Sequence, residues 1–220
     1  MNQPTPNFAQ DLARIHKVIT RSIDVSLSTG KEHMQHGFVD PTELTGYASY
    51  LHCMMTVLSS HHTGEDLIGF PELSKVIPSA PYSRLAAEHH QFSRQLDRLP
   101  TLISGLSADP MNSTSTIVTI IEKISNLWPS HYQSEERYFD EAAIQAVLSL
   151  EEQGRISQAT SKHSQEHSEP AYWVVPFILY NLEYPDRMTM AAFFPPQVIA
   201  ELVPVVWKDH WAPMKPLLLD

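Results

Sequence analysis

The segment LSSHHTGEDLIGF, residues 58–70, pairs a histidine, His61, with a glutamate, Glu65, four positions later. In an α-helix, side chains four positions apart lie on the same face, one turn above the other. A histidine and a carboxylate so placed can hold one metal ion together, because the imidazole offers a neutral nitrogen and the carboxylate offers charge and can bridge two ions. His131 and Glu135 repeat this spacing. The sequence therefore predicts two helices that each present a metal-binding pair.

Apolar residues recur at helical spacing along four segments, and this pattern predicts an all-α fold, an up-down four-helix bundle. The predicted helices cover residues 7–27, 40–66, 82–99 and 115–139. We expect Thr29 and Gly30 to end the first helix. Gly69 and Pro71 are expected to end the second. Pro129 lies inside the fourth helix, where its missing N–H predicts a kink.

Histidines also lie on the apolar faces of the first and third predicted helices. His16 shares its face with the apolar residues of the first helix, and His89 with those of the third. Glu135 follows the apolar stripe of the fourth helix together with His131, where a buried and unpaired charge would be costly. Each histidine alone is typical of an ordinary core or surface position. Four of them on four helices, with two aligned glutamates, favour one shared metal site inside the bundle.

The chain changes character after residue 140. We expect residues 7–140 to form the metal-binding bundle and residues 141–220 to form a helical, proline-rich extension that caps it. Residues 141–162 are predicted to be one helix, and Pro195 is expected to start a last helix that runs to Trp211. The aromatic residues of the extension include Trp173, Phe177, Tyr180, Tyr184, Phe193, Phe194, Trp207 and Trp211. They suit either an apolar pocket above the metal or a plain hydrophobic clamp.

Composition limits the possible partners and the compartment. The chain carries 25 acidic and 15 basic residues, a formal net charge of −10, and this field disfavours nucleic acid and anionic membranes as partners. The longest apolar run, residues 172–180, is interrupted by Pro176 and is too short for a membrane-spanning helix. Cys53 is the only cysteine, so no internal disulfide can form. Together with a polar N-terminus that lacks the order of a signal peptide, these features predict a cytoplasmic protein with a small-molecule partner and leave its oligomeric state open.

The remaining histidines have ordinary structural interpretations. His33 and His36 are expected to lie in a loop in contact with solvent. His90 is expected to face away from the bundle centre. His163 and His167 are four positions apart, but their polar neighbours favour the surface of a helix over a second metal site.

The chain resembles the hemerythrin-like, or HHE cation-binding, family in four short segments, one per predicted helix. The segments are RIH at 14–16, HHTGED at 61–66 followed by FP at 70–71, LAAEH at 85–89 and HYQSEE at 131–136. They occur in the order of the family, within residues 7–139. The resemblance implies an up-down four-helix bundle with an internal metal centre, often of two irons. It also implies seven metal ligands: His16, His61, His62, Glu65, His89, His131 and Glu135.

Two departures from the family pattern bear on the metal. Oxygen-carrying relatives have a second histidine one turn after the third-helix histidine, where this chain has Ser93. They also have an aspartate five residues after the fourth-helix histidine, where this chain has Glu136. These departures disfavour an oxygen carrier and favour one well-ligated metal over a complete two-iron set. Zinc accepts the same nitrogen and oxygen ligands, so the expected cofactor is zinc or iron, as one or two ions.

Two classes of function follow from this site. The aromatic extension favours an enzyme that acts on a small organic molecule, with the metal as a Lewis acid or as an activator of oxygen or water. Hemerythrin-like chains with such extensions resemble metal-dependent enzymes of fungal secondary metabolism, including cyclopenase-type lyases that contract a benzodiazepinedione to a quinolone with the help of zinc. Glu88, Tyr132 and Glu136 are the acid–base candidates beside the metal, and orientation of the metal ligands is their alternative role. The other class is a non-haem diiron protein that binds or senses oxygen or iron.

Overall fold

The computed structural model describes residues 7–220, which contain helices and their connections and no strand. Four long helices form the bundle: α1 (Phe8–His36), α2 (Pro41–Gly64), α3 (Tyr82–Leu96) and α4 (Pro110–Tyr138). Helix α1 packs against α2 and α4, and α3 packs against the same two helices. The predicted all-α class is therefore confirmed. No helix among the described residues combines the length and the apolar character that crossing a membrane requires.

Side chains just before the helices fix where the bundle helices begin. The side chain of Asn7 accepts a hydrogen bond from the third residue of its helix, and Asp109 does the same at the start of α4. Asp40 accepts from two backbone N–H groups of α2, whose first residue is Pro41. These contacts satisfy N–H groups that have no partner inside the helix. Because Asp109 is the cap, α4 begins five residues before the predicted start.

Helix α1 does not end at Gly30, so that prediction was wrong. Gly30 is buried inside the helix, and a Cβ atom there would collide with the Tyr47 hydroxyl and with Val118. The glycine thus allows close packing of neighbouring helices. The helix ends instead at Gly37, whose φ of 74° lies in the left-handed region that favours glycine.

The helical path that starts with α2 continues beyond its predicted end at residue 66. A wide π-helical turn, Glu65–Gly69, follows α2 directly, and one α-helical turn, Phe70–Leu73, comes next. Pro71 lies in the first turn of that segment, where a missing N–H does no harm. Helix α4 stays helical through Pro129. The third helix was predicted to cover residues 82–99, but α3 ends at Leu96, and a separate helix, Leu99–Gly105, follows it.

The C-terminal extension consists of one helix of 17 residues, Leu150–Glu166, and several shorter helices. They are Glu141–Val147, Leu150–Glu166, Ala171–Tyr180, Tyr184–Ala191, Val198–Val206, Lys208–Trp211 and Ala212–Leu217. The single helix predicted for residues 141–162 is divided, because Ser149 caps a new helix and forms a reciprocal pair of hydrogen bonds with Glu152. The predicted last helix is likewise a succession of short pieces.

The extension shares one hydrophobic core with the bundle. Phe177 and Trp211 belong to the same buried cluster as residues of α1 and α2. Tyr50 of α2 donates a hydrogen bond of 2.7 Å to Asn181 Oδ1, and Arg21 of α1 donates one of 3.0 Å to the Leu217 carbonyl. Removal of the extension would therefore expose apolar surface on both helices. The division into two units at residue 140 stays a prediction.

Substitution of Gly46 tests this packing. A Cβ atom at Gly46 would overlap the backbone carbonyl of Pro213, which cannot rotate away as a side chain could. We expect Gly46→Ala to lower the free energy of unfolding by about 1–3 kcal/mol, the usual range for overpacking. Gly69→Ala is the control, because nothing lies within 4 Å of the Cβ position there. Urea denaturation of both variants measures the difference, and equal stability would contradict the close approach.

Candidate metal centre

Four helices and the π turn bring seven buried histidine and glutamate side chains together at one place in the bundle. They are His16 from α1, His61 and His62 from α2, Glu65 from the π turn, His89 from α3, and His131 and Glu135 from α4. All seven are buried, and the hydrophobic periodicity had predicted an inward position for His16, His89, His131 and Glu135. The π turn begins at Glu65, and such turns are frequent at functional sites.

The donor atoms fall into two groups of four that share Glu65. One group is His16, His61, Glu65 and Glu135, and the other is His62, Glu65, His89 and His131. Within each group the donor atoms lie within 4.8 Å of one another. Both groups thus have the composition and spacing of a metal site.

Both glutamates lie between the two groups. Glu135 Oε2 is 3.3 Å from His16 Nε2, whereas Glu135 Oε1 is 3.3 Å from His131 Nε2. Glu65 Oε2 is 3.5 Å from His61 Nε2 and also 3.5 Å from His89 Nε2. Each carboxylate therefore faces both groups, which is the placement that a bridging ligand requires.

The inward-facing atoms have no hydrogen-bond partner in the described part of the chain. They are the Nε2 atoms of His16, His61 and His62, Oε2 of Glu65 and both carboxylate oxygens of Glu135. In addition, the Nε2 atoms of His89 and His131 face each other at 3.2 Å. Burial of polar atoms without partners is costly, and cations would remove that cost. The residues therefore fit nitrogen- and carboxylate-binding ions such as iron and zinc.

The histidines differ in proton affinity. Burial lowers the pKa of His61 and of His62, and neighbouring histidines lower them further. These two rings are therefore neutral and ready to bind metal near neutral pH. Burial also acts on His16 and His89, but hydrogen bonds with carboxylates outweigh it and raise the pKa of both. A raised pKa means that these two rings hold a proton more tightly than free histidine does when no cation is bound.

The two glutamates are shifted in opposite directions. Burial raises the pKa of Glu65, and the neighbouring Glu135 and Asp66 carboxylates raise it further. Burial acts in the same direction on Glu135, but the His16 and His89 rings, which approach its carboxylate to 3.3 and 3.5 Å, outweigh it and lower the pKa of Glu135. Two carboxylates held this close resist simultaneous ionisation without added positive charge.

Three further carboxylates bind the outer nitrogens of the histidine rings. Glu136 lies 3.0 Å from His16 Nδ1, Asp66 lies 2.8 Å from His89 Nδ1, and Glu88 lies 2.9 Å from His131 Nδ1. A carboxylate that accepts from Nδ1–H leaves the Nε2 lone pair directed at the centre. Glu88 and Glu136, predicted as acid–base candidates, thus contact the far side of the rings. Asp66 was not singled out from the sequence, although it directly follows Glu65.

Residues 7–142 match the sequence profile of the hemerythrin HHE cation-binding domain. The chain belongs to the hemerythrin HHE family. The resemblance to this family is confirmed, and with it a metal-binding helical bundle. Members of the family bind metal cations, typically iron. No curated protein and no solved structure matches the chain.

In this hemerythrin-family chain, His62 places a ring nitrogen in the second donor group, to which Ser93 contributes no atom. Ser93 is exposed on α3, whereas the ring of His62 stacks on that of His89 with centroids 4.1 Å apart. The second group therefore contains three histidines despite the serine. The sequence had favoured one well-ligated metal, but the structure offers donors for two.

Tyr132, the third acid–base candidate, packs beside the centre. Its half-buried ring lies 5.7 Å from the His16 ring and 5.4 Å from the Trp128 ring, between centroids. The position is next to a proposed ligand and also next to the apolar core. A catalytic role for Tyr132, Glu88 or Glu136 stays a prediction.

Histidines outside the centre follow the predictions only in part. His33, expected in a loop, is buried in α1, where it stacks on Phe38 at 4.0 Å and contacts the Gly37 carbonyl. That prediction failed because α1 is longer than expected. His36 is exposed, but it is the last residue of α1 and not part of a loop. His90 is exposed, as predicted.

Most of the aromatic residues named in the extension pack into or against the shared core, as a hydrophobic clamp would, whereas Tyr184 is exposed. Phe177 and Trp211 are buried in the shared core, and Tyr180 stacks on Trp211 at 5.2 Å. An open depression of about 230 Å³ lies near the metal centre instead, between α1 and the end of α4. Its lining residues are Ala9, Gln10, Ala13, Glu136, Phe139, Asp140 and Glu141. No aromatic residue of the extension contributes to it.

Proposed function

We propose that this protein binds two iron ions side by side in the bundle and uses them to bind dioxygen or a similarly small oxygen-derived ligand. The observation that carries the proposal is the pair of four-donor groups with Glu65 and Glu135 between them. His16 and His61 would hold one ion. His62, His89 and His131 would hold the other, with both glutamates as bridges.

The number of carboxylates in and around the centre supports the binding of two cations. The centre contains two inner carboxylates, and three more, Asp66, Glu88 and Glu136, contact the outer nitrogens of its histidines. Five carboxylates balance two divalent or trivalent ions closely, so the buried centre keeps a small net charge. This matters because an isolated charge is very costly to bury.

The number of protein donors supports an open coordination position for a small ligand on the bound ions. With both glutamates as bridges, the first ion has four protein donors and the second has five. Iron in histidine–carboxylate sites keeps open positions where small oxygen ligands bind. Two adjacent irons would supply the electrons that reversible binding of dioxygen requires.

The surroundings of the centre favour a small ligand. The rings of Phe70, Phe92 and Trp128 lie against its histidines at centroid distances of 5.0–5.5 Å. These buried rings exclude water and leave little free space. Pockets for organic substrates enclose about 300–1,000 Å³, whereas the depression near Glu136 is open and holds about 230 Å³.

The site supports this function better than it supports an enzyme that acts on an organic molecule. Zinc-assisted ring contraction of the cyclopenase type has no support in the comparisons, and the aromatic residues expected to form its pocket pack as a clamp. Turnover of an organic substrate stays a prediction from the sequence. We propose a small oxygen-derived molecule as the partner and the cytoplasm as the compartment, and the net charge of −10 continues to disfavour nucleic acid.

Iron stoichiometry tests the proposal. Metal-free protein treated anaerobically with Fe²⁺ should bind two irons per chain, measured by elemental analysis after desalting. Exposure to air should then produce the charge-transfer absorption of adjacent ferric ions. His62→Ala should retain about one iron, because only the second group loses a nitrogen. His90→Ala, one residue from a proposed ligand but exposed, should retain two. A single iron in the unmodified protein would contradict the proposal.

A further inference from the structure

More histidines of the second group than of the first have a carboxylate at the outer ring nitrogen, Nδ1. In the first group, His16 has an outer carboxylate and His61 has none within 4 Å among the described residues. In the second group, both His89 and His131 have one. Two histidines of the second group therefore have a carboxylate at Nδ1, and one histidine of the first group does.

A carboxylate on Nδ1–H strengthens the opposite nitrogen as a donor and fixes the orientation of the ring. Loss of such a partner typically weakens metal binding about 10–100-fold. The second group also has three nitrogens against two in the first. The number of nitrogen ligands and the number of carboxylates on outer ring nitrogens thus both favour tighter metal binding at the second group.

Solvent exposure of the outer carboxylates increases the expected difference in metal affinity between the two groups. Within residues 7–220, Glu136 is the only outer carboxylate of the first group, and its side chain is 37% exposed, whereas those of Asp66 and Glu88 are 29% and 22% exposed. Water screens an exposed charge more strongly. Glu88 shares its charge with Arg84 at 3.8 Å, so Asp66 is the clearest support of the second group.

We propose that the chain fills its two metal positions in a fixed order, first the position of His62, His89 and His131 and then that of His16 and His61. Asp66 and Glu136 are the positioning residues that set the two affinities. This inference rests on the proposed two-ion centre. It predicts that limiting metal produces a one-ion form with the first position still open.

Binding of Co²⁺ alone to the metal-free protein tests the order. Visible absorption reports the coordination of the ion, and calorimetry reports affinity and stoichiometry. We expect two phases whose affinities differ at least about 10-fold. Repulsion between adjacent cations would also separate two phases, so the decision depends on variants. Asp66→Asn should weaken the first phase about 10–100-fold, and Glu136→Gln should weaken only the second.

A matched control distinguishes the loss of a carboxylate that contacts a histidine ligand from a general loss of negative charge. Glu122→Gln removes one charge from α4 at an exposed position paired with Lys31, about 20 Å along the helix from Glu135, and should change neither phase. The amide variants keep the shape of the side chain, so their metal-free forms should melt like the unmodified protein.

The outcomes distinguish the two proposals. Two ions at saturation, with Asp66→Asn and Glu136→Gln weakening the same phase, would overturn the fixed order and leave the two-ion centre standing. Saturation at one ion would overturn the two-ion centre itself. Weakening of the first phase by Asp66→Asn and of the second by Glu136→Gln supports the order, because a purely structural role would change both phases alike. The reverse assignment would overturn the order.

Discussion

Replacement of Glu135 by alanine should reduce the bound iron from two per chain to nearly none. Its two oxygens face different groups, and its pKa is lowered, so it supplies negative charge to both positions. One unit charge about 4 Å from another is worth about 4 kcal/mol at an effective dielectric constant of 20. Each divalent ion would therefore lose at least about 1,000-fold in affinity. Elemental analysis after dialysis against a weak chelator measures the loss.

The control for this prediction is Glu122→Ala on the same helix. Glu122 is half-exposed and pairs with Lys31, so its loss should leave both irons in place. Retention of two irons in Glu135→Ala would show that this carboxylate does not bridge the groups. Retention of one iron would assign Glu135 to a single position.

Removal of metal should destabilise the fold strongly. The metal-free centre buries polar atoms without hydrogen-bond partners, and ions that bind only the folded chain stabilise it by mass action. Two ions, each present at 1,000 times its Kd, would contribute about 8 kcal/mol. For a chain of this size that corresponds to a fall in melting temperature of about 15–30 °C on removal. Differential scanning calorimetry with and without a chelator measures it.

The variant Glu135→Ala provides the comparison for the melting experiment. Its melting temperature should not respond to added iron, because neither position retains its affinity. If the unmodified protein melted at the same temperature with and without iron, the centre would not be coupled to folding. If both proteins responded equally, the stabilisation would come from binding elsewhere on the chain.

Local sequence patterns determined which residues make up the candidate metal centre. The spacing of His61 and Glu65, repeated at His131 and Glu135, places each pair on one helix face whatever the rest of the chain does. The apolar neighbours of His16 and His89 turn those rings toward the core for the same reason. All seven predicted ligands are brought together in the structure.

Signals for helix ends were less reliable than signals for helix faces. Gly30 and Gly69 both resemble helix-terminating residues, but the chain remains helical at each. At Gly30 the small residue serves a contact with Tyr47, and nothing in the local sequence reveals that contact. Gly37, with its positive φ, is the glycine that ends α1.

The sequence by itself determined an all-helical bundle and the inward histidines and glutamates, because both depend on periodicity within single helices. Only the tertiary structure decided how the donors divide into two groups and that the His62 ring lies in the second group, whereas Ser93 is exposed. It also decided that Asp66, Glu88 and Glu136 support the rings, and that the extension packs on α1 and α2. These features depend on the rotation and register of helices against one another. Contacts between residues far apart in the chain set that arrangement, and the pattern of one helix contains no information about it.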